Sequence, residues 1–401
     1  MQPRLAARGR GPGIVGRAMV ASPLVSTVTD HTPGRPLRVG IVGAGLIAQV
    51  AHLPYLRELS DRFDTVALCD IVPETAAAVA QRHGVPHVFT DWRQMLAHPL
   101  DAVIVLTTSS HAPIAVEAAR RGLHVLVEKP MCLSVEEGRQ MVAAADEAGV
   151  ALMVGYNKRY DPAYERFREL VGELSDRRFL RVTTFEAPYL PYVAHYGLIR
   201  GGQPPTRAVE RLAVETQQQV SLAIGEEASD FERRIYRARL LDSLIHELNA
   251  LRGLLGEPDS VDHVDLRETS ISVMLTFGGL PVAIHWVLLT PGITRYRMEF
   301  AMIACERRVS IGFPSPYLRN VPTLLQTEEG EADKPGSRAS DEIITFESSF
   351  SRELVAFHEA ATEGRQPPTT GWDSLRDVAL CQAIVECFRS RRPIQQPSEL
   401  R

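Results

Sequence analysis

Between residues 37 and 155, short apolar runs alternate with amphipathic stretches, a rhythm few folds can satisfy. Runs at 37–42, 65–69, 102–106, 125–128 and 151–154 predict strands. Stretches at 46–59, 73–83, 112–121 and 135–148 carry helical spacing. Pro73 suits a first helical turn, and Gly149 suits a stop. Strand and helix in strict alternation imply right-handed crossovers and a parallel sheet.

Beyond Gly155 the pattern changes. A helix over 162–171 and a strand over 180–185 lead into a long segment, 187–239, with several glycines, prolines and charged residues. A helix over 239–255 ends at Gly256 and Pro258. Strand-like runs come next at 260–266, 270–277, 282–289, 295–302 and 308–311. Short turns between them, such as Gly278-Gly279, favour antiparallel hairpins. The polar stretch 327–341 reads as a surface loop, and helices over 350–362 and 374–390 close the fold.

These patterns predict four parts. Residues 1–36, rich in Arg, Gly and Pro, form a disordered tail. Residues 37–156 form one domain, 157–392 a second, and 393–401 a second tail. A net charge of −5 argues against a general nucleic-acid surface, and no apolar stretch is long enough to cross a bilayer. The five cysteines show no Cys-x-x-Cys pair and read as buried free thiols in a reducing cytoplasm. The 12 histidines show no ligand-like clustering, so no metal is expected.

Gly43-Ala44-Gly45-Leu46-Ile47-Ala48 sits between a predicted strand and a predicted helix. Gly43 permits the tight turn, Gly45 lets a pyrophosphate approach the backbone, and Ala48 is small enough for helix–strand packing. Phosphates would rest on the helix N-terminus, where free N–H groups favour an anion. Asp70 ends the second strand, a little beyond the roughly 20-residue spacing of a ribose-binding acid. Ile71 and Val72 supply no cation for a 2′-phosphate, which favours NAD over NADP.

Lys129, in Glu128-Lys129-Pro130, comes directly after the apolar run that should form the sheet's next strand, placing a cation at the rim where open α/β sheets bind ligands. On the 239–255 helix, Leu244, Leu248, Leu251 and Leu255 form a core stripe, while Asp242, His246 and Asn249 share another. For hydride transfer from an alcohol, His246 is the natural base, Asp242 would orient its ring, and Lys129 would polarise the substrate oxygen. Tyr156, Asn157, Lys158 and Arg159 stand after the last strand of the first sheet, and Arg159 is the candidate for a polar substrate group.

These motifs, in this order, resemble the Gfo/Idh/MocA oxidoreductase family over about residues 37–392, most densely from Asp101 through Glu128-Lys129-Pro130 to Arg159. The resemblance implies an α/β plus α+β fold: an N-terminal Rossmann parallel sheet and a C-terminal domain on an open, mostly antiparallel sheet. It implies Lys129, Asp242 and His246 as catalytic residues, and Lys129, Arg159, Asp242, His246 and Asn249 around the substrate. Cofactor contacts would come from Gly43, Gly45, Leu46, Ile47, Ala48, Asp70, Thr108, His111, Glu128 and Lys129, with a candidate cis bond before Pro130. The expected activity moves a hydride between nicotinamide and a hydroxyl or keto carbon of a sugar, sugar derivative or cyclitol, in a homodimer or homotetramer. Two other activities fit such a chain: a glycosidase using NAD transiently, and a non-catalytic dinucleotide-binding regulator. Two features depart from the family pattern. Arg237-Ala238 stands where Gly-Gly is common, and Asn249 replaces an Asp. The segment 187–239, with Tyr189, Tyr192, His195, Tyr196 and Arg200, reads either as substrate-pocket wall or as a surface excursion at subunit contacts.

Overall fold

The computed structural model describes residues 35–108, 110–331 and 333–396. The predicted tail at 1–36 lies outside them except for its last two residues, and that at 393–401 is described only to residue 396.

Six parallel strands form the first sheet: β1 (Leu37–Val42), β2 (Phe63–Cys69), β3 (His87–Phe89), β4 (Ala102–Val105), β5 (His124–Glu128) and β6 (Leu152–Gly155). Their order is β3-β2-β1-β4-β5-β6, so the chain reverses direction across the sheet between β1 and β4. That switch opens a crevice beyond the carboxyl ends of these two strands. The strands β4 and β6 are buried along their whole length, which is why they read as unbroken apolar runs. The helices Pro73–His83 and Val135–Ala148 stop at Gly84 and Gly149, both left-handed.

Nine strands form the second sheet: β7 (Arg177–Glu186), β8 (Ser260–Leu266), β9 (Ser270–Phe277), β10 (Leu280–Leu288), β11 (Arg297–Ala304), β12 (Arg307–Phe313), β13 (Leu324–Gly330), β14 (Ser337–Ile343) and β15 (Ile394–Gln395). Only the β7–β10 pair is parallel. The helix Gly371–Ser390 carries Leu375 and Val378 into the same core as Met141 and Val142 of Val135–Ala148.

Two expectations need correction, and the open segment 187–239 takes a definite form. The stretch 327–341 contributes to the β13–β14 hairpin rather than a loop. Its outer strand β14 is exposed at every position, so it lacks the apolar alternation that marks a strand. The segment 187–239 is largely helical, with Thr206–Ile224 and Asp230–Ile235 the main pieces. The single helix expected over 239–255 is instead a π-helix, Tyr236–Leu244, running into an α-helix, Ile245–Leu255. Among the described residues, no helix is long and apolar enough to cross a membrane.

Candidate active site

Gly43 leaves β1 with φ of +101°, and a β-carbon there would stand 2.7 Å from the Leu106 carbonyl oxygen. Glycine lets the turn lie that close to the end of β4. A β-carbon on Gly45 would meet nothing within 4 Å, so open space lies over its backbone. Ala44, Gly45, Leu46 and Asp70 line a cavity of about 410 Å³. Ile47 packs against the core and Ala48 is wholly buried, closing the helix onto the sheet. The Asp70 carboxylate accepts the Ala44 N–H at 2.8 Å and the Val72 N–H at 2.9 Å. It keeps lone pairs for a further donor such as a ribose hydroxyl.

Lys129 stands directly after β5, and its bond to Pro130 is cis. Its ammonium donates to the Asp242 backbone carbonyl at 2.5 Å and lies 3.3 Å from the Asp242 carboxylate. The Lys129 side chain is 17% exposed and that of Asp242 71%, so the pair sits at the edge of bulk water. His246, one turn onward, stands edge-on to Tyr156 with ring centroids 6.1 Å apart. Its Nδ1 is buried with no hydrogen-bond partner among the described residues. Burial, then the charges of Lys158 and Lys129, hold this imidazole well below its ordinary pKa and therefore neutral. The fold thus brings Lys129 against Asp242 and within electrostatic reach of His246. A neutral ring nitrogen can take a proton, and an ammonium can steady an oxygen that is losing one.

Several expected contacts go elsewhere. Asp242 hydrogen-bonds Lys129 and, among the described residues, not His246: its side chain is largely exposed, whereas the His246 Nδ1 is buried. Asn249 points its amide at Asp377, 2.8 Å away, and at Asp373. Arg159 is held by the Asn249 and Pro368 carbonyls and by Asp373, and its guanidinium packs against Gly253. Both residues therefore belong to a structural network with Arg252, not to the place where Lys129 and His246 meet. The Glu128 side chain is buried against His52, with Nε2 and Oε1 2.8 Å apart, instead of facing a ligand. His111 is buried with its two ring nitrogens 2.9 Å from the Pro130 carbonyl and 2.8 Å from that of Thr107, so it braces the Lys129–Pro130 turn. Thr108 is exposed at the bend after β4.

Lys158 is one of the four residues after the last strand of the first sheet, among which the sequence points to Arg159 instead. Lys158 sits in the turn Asn157–Tyr160 after β6 and is 4% exposed. Among the described residues nothing hydrogen-bonds its ammonium, and burial pulls its pKa down. The carboxylates of Glu247 and Glu186 are its counter-charges, both raised by burial. Glu247 accepts from Thr184 at 2.5 Å and Glu186 from Ser243 at 3.0 Å. Two adjacent cations in a strand-end turn are the available signal, but they do not say which of the two turns inward.

Comparison with known proteins bears on the fold. Residues 37–156 match the family model described as oxidoreductase family, NAD-binding Rossmann fold, of the Gfo/Idh/MocA group. The chain is 24% identical to an uncharacterized oxidoreductase, YrbE, of Bacillus subtilis, across 88% of this chain and 95% of the relative. It is 27% identical to myo-inositol 2-dehydrogenase of Thermotoga maritima, across 90% and 98%. Its fold matches the crystal structure of aldose-aldose oxidoreductase from Caulobacter crescentus complexed with glycerol, with a TM-score of 0.68 at 23% identity, covering 90% of this chain and 100% of that one. With a Rossmann sheet followed by an open second sheet, the chain matches, over residues 37–156, the NAD-binding Rossmann fold of the Gfo/Idh/MocA oxidoreductase family.

Proposed function

We propose that the protein moves a hydride between nicotinamide and a CH–OH or C=O carbon of a sugar, sugar derivative or cyclitol, with NAD its working dinucleotide. The observation that carries this reading is the Lys129–Asp242 pair beside the neutral His246, at the carboxyl edge of the same sheet as the Gly43 turn. The cradle suits a dinucleotide: Gly43 admits a close turn and the space over Gly45 is open to a phosphate. Gly43, Gly45, Leu46, Ile47 and Ala48 would hold the diphosphate, and Asp70 the adenosine ribose. The nicotinamide, when bound, supplies the hydride acceptor in oxidation and the donor in reduction.

The chain's own residues handle the proton. In oxidation, the C–H electron pair leaves carbon with its hydrogen, and the O–H bond breaks. His246 takes that proton, which its neutral ring can accept, and Lys129 hydrogen-bonds the oxygen as negative charge grows on it. Asp242 anchors Lys129 for that task. Lys158, buried close enough to lower the His246 pKa, supplies a second positive charge toward substrate oxygens. A polyol or cyclitol suits a pocket of donors and a neutral base, and the similarity to a myo-inositol 2-dehydrogenase supports that class.

The test is a panel of sugars, nucleotide sugars and cyclitols monitored by NADH absorbance with purified protein, in both directions. At least one polyol should give stoichiometric NADH. Measurable dinucleotide binding with no turnover across the whole panel would contradict the reading.

A further inference from the structure

A strap from the long insertion crosses the dinucleotide cavity. Residues 198–203 line it together with Ala44, Gly45, Leu46 and Asp70. Three side chains of the first sheet's helices clamp it there. The Gln49 amide donates to the Ile199 carbonyl at 2.9 Å and accepts the Ile199 N–H at 2.8 Å. The Thr75 hydroxyl pairs in the same two-way manner with the Gly201 backbone, at 2.8 and 3.1 Å. Arg82 reaches the Gly197 carbonyl at 2.7 Å. Glycines make the close approach possible. A β-carbon on Gly202, at φ +66°, would fall 2.8 Å from Val72 Cγ1 and closer still to Glu74 Oε2.

Arg200 lies between the two paired clamps, so the one on the glycine-turn helix and the one on the Pro73–His83 helix set its position along the cavity. It is exposed, and among the described residues it makes no ion pair. Asp70, the carboxylate lining the same cavity, already accepts two backbone N–H groups, so it does not need the guanidinium. A cation with no ion-pair partner among the described residues, carried on backbone clamped beside the glycine turn and lining the cavity, is matched to an anionic ligand group, and planar guanidinium binds phosphate oxygens in pairs.

We propose that this strap is the outer wall of the dinucleotide site and that Arg200 meets a phosphate of the bound dinucleotide. The proposal rests on the dinucleotide reading above, and it supplies the cation that Ile71 and Val72 do not. The phosphate is either the shared diphosphate or the 2′-phosphate that only NADP carries, and calorimetric titration separates the two. NAD and NADP are titrated into the full chain, into Arg200→Ala, into Arg200→Lys and into Gly202→Val, with thermal unfolding to verify that each variant folds. Arg200→Ala should weaken binding about tenfold. Equal loss for both dinucleotides places the contact on the diphosphate, and loss for NADP alone places it on the 2′-phosphate. Arg200→Lys should recover part of the affinity, and Gly202→Val, which pushes the strap outward, should weaken both ligands. Parent-like affinity for both ligands in a folded Arg200→Ala overturns the proposal while leaving the functional reading intact. A parent chain that binds neither dinucleotide overturns both.

Discussion

The ammonium of Lys129 and the backbone carbonyl of Asp242 are 2.5 Å apart, joining the end of β5 to the π-helix across 113 residues of sequence. The carboxylate of the same aspartate is 3.3 Å away. The carbonyl contact survives any substitution of the Asp242 side chain, while the carboxylate contact does not. Lys129 is thus held by backbone, and its charge is balanced by a side chain.

That division predicts a mild phenotype for Asp242→Asn. The lysine stays in place through the carbonyl and loses only a partly solvated charge partner. Turnover should fall about tenfold, with dinucleotide affinity unchanged. Steady-state kinetics on the identified substrate, with calorimetry for the dinucleotide, checks this. A loss as deep as that of Lys129→Ala would mean that the carboxylate itself handles the proton.

Lys158 predicts a pH effect. Burial first, then Lys158 and Lys129, keep the His246 pKa low. Removing the Lys158 charge raises that pKa, so His246 becomes protonated, and useless as a base, at a higher pH. The acid limb of the kcat/KM profile should move upward in Lys158→Met. A limb at its original pH would show that Lys158 does not face His246.

The same histidine carries a stability prediction. Unfolded, it titrates near 6.5, but folded it resists protonation until the pH is well below that. In that interval the unfolded chain binds more protons, so its contribution to stability is full above about 6.5 and falls away as the pH drops. His246→Gln should flatten the acid-side decline in thermal midpoint. An unchanged slope would indicate that other buried groups control it.

Arg252 predicts a structural defect. It is bonded to Asp377 at 2.6 Å, to Glu257 at 2.6 and 2.8 Å and to Asp373 at 3.1 Å, and both it and Asp377 are buried. Arg252→Ala strands a buried carboxylate and should cost about 3–5 kcal/mol in denaturant unfolding. The double change Arg252→Met, Asp377→Leu should recover much of that loss, because no charge is then left unpaired. A double variant no more stable than the single would contradict this.

How far the sequence speaks depends on whether the signal is local. The Gly43 turn and Lys129 are legible because a buried strand must read as an apolar run, and the residues just past its end must lie at the sheet's rim. The β14 strand is not legible, since an exposed edge has no apolar face to advertise it. The partner of Asp242 is hidden because it lies 113 residues away, on a strand end that only tertiary packing brings alongside. Arg159 and Lys158 show the same limit at one peptide's distance. Both are cations in a tight turn, and tertiary packing alone decides that the arginine joins Asp373 while the lysine is buried near His246. The strap over Asp70 depends on contacts between Thr75 and Gly201, which no local pattern announces.

The most direct measurement is turnover set against dinucleotide binding for Lys129→Ala and His246→Ala, using the best substrate from the panel. Both variants should bind NAD within about threefold of the parent and lose at least about a hundredfold in kcat. Near-parental kcat in both, with binding intact, would show that the ammonium and the imidazole do not act on a common substrate.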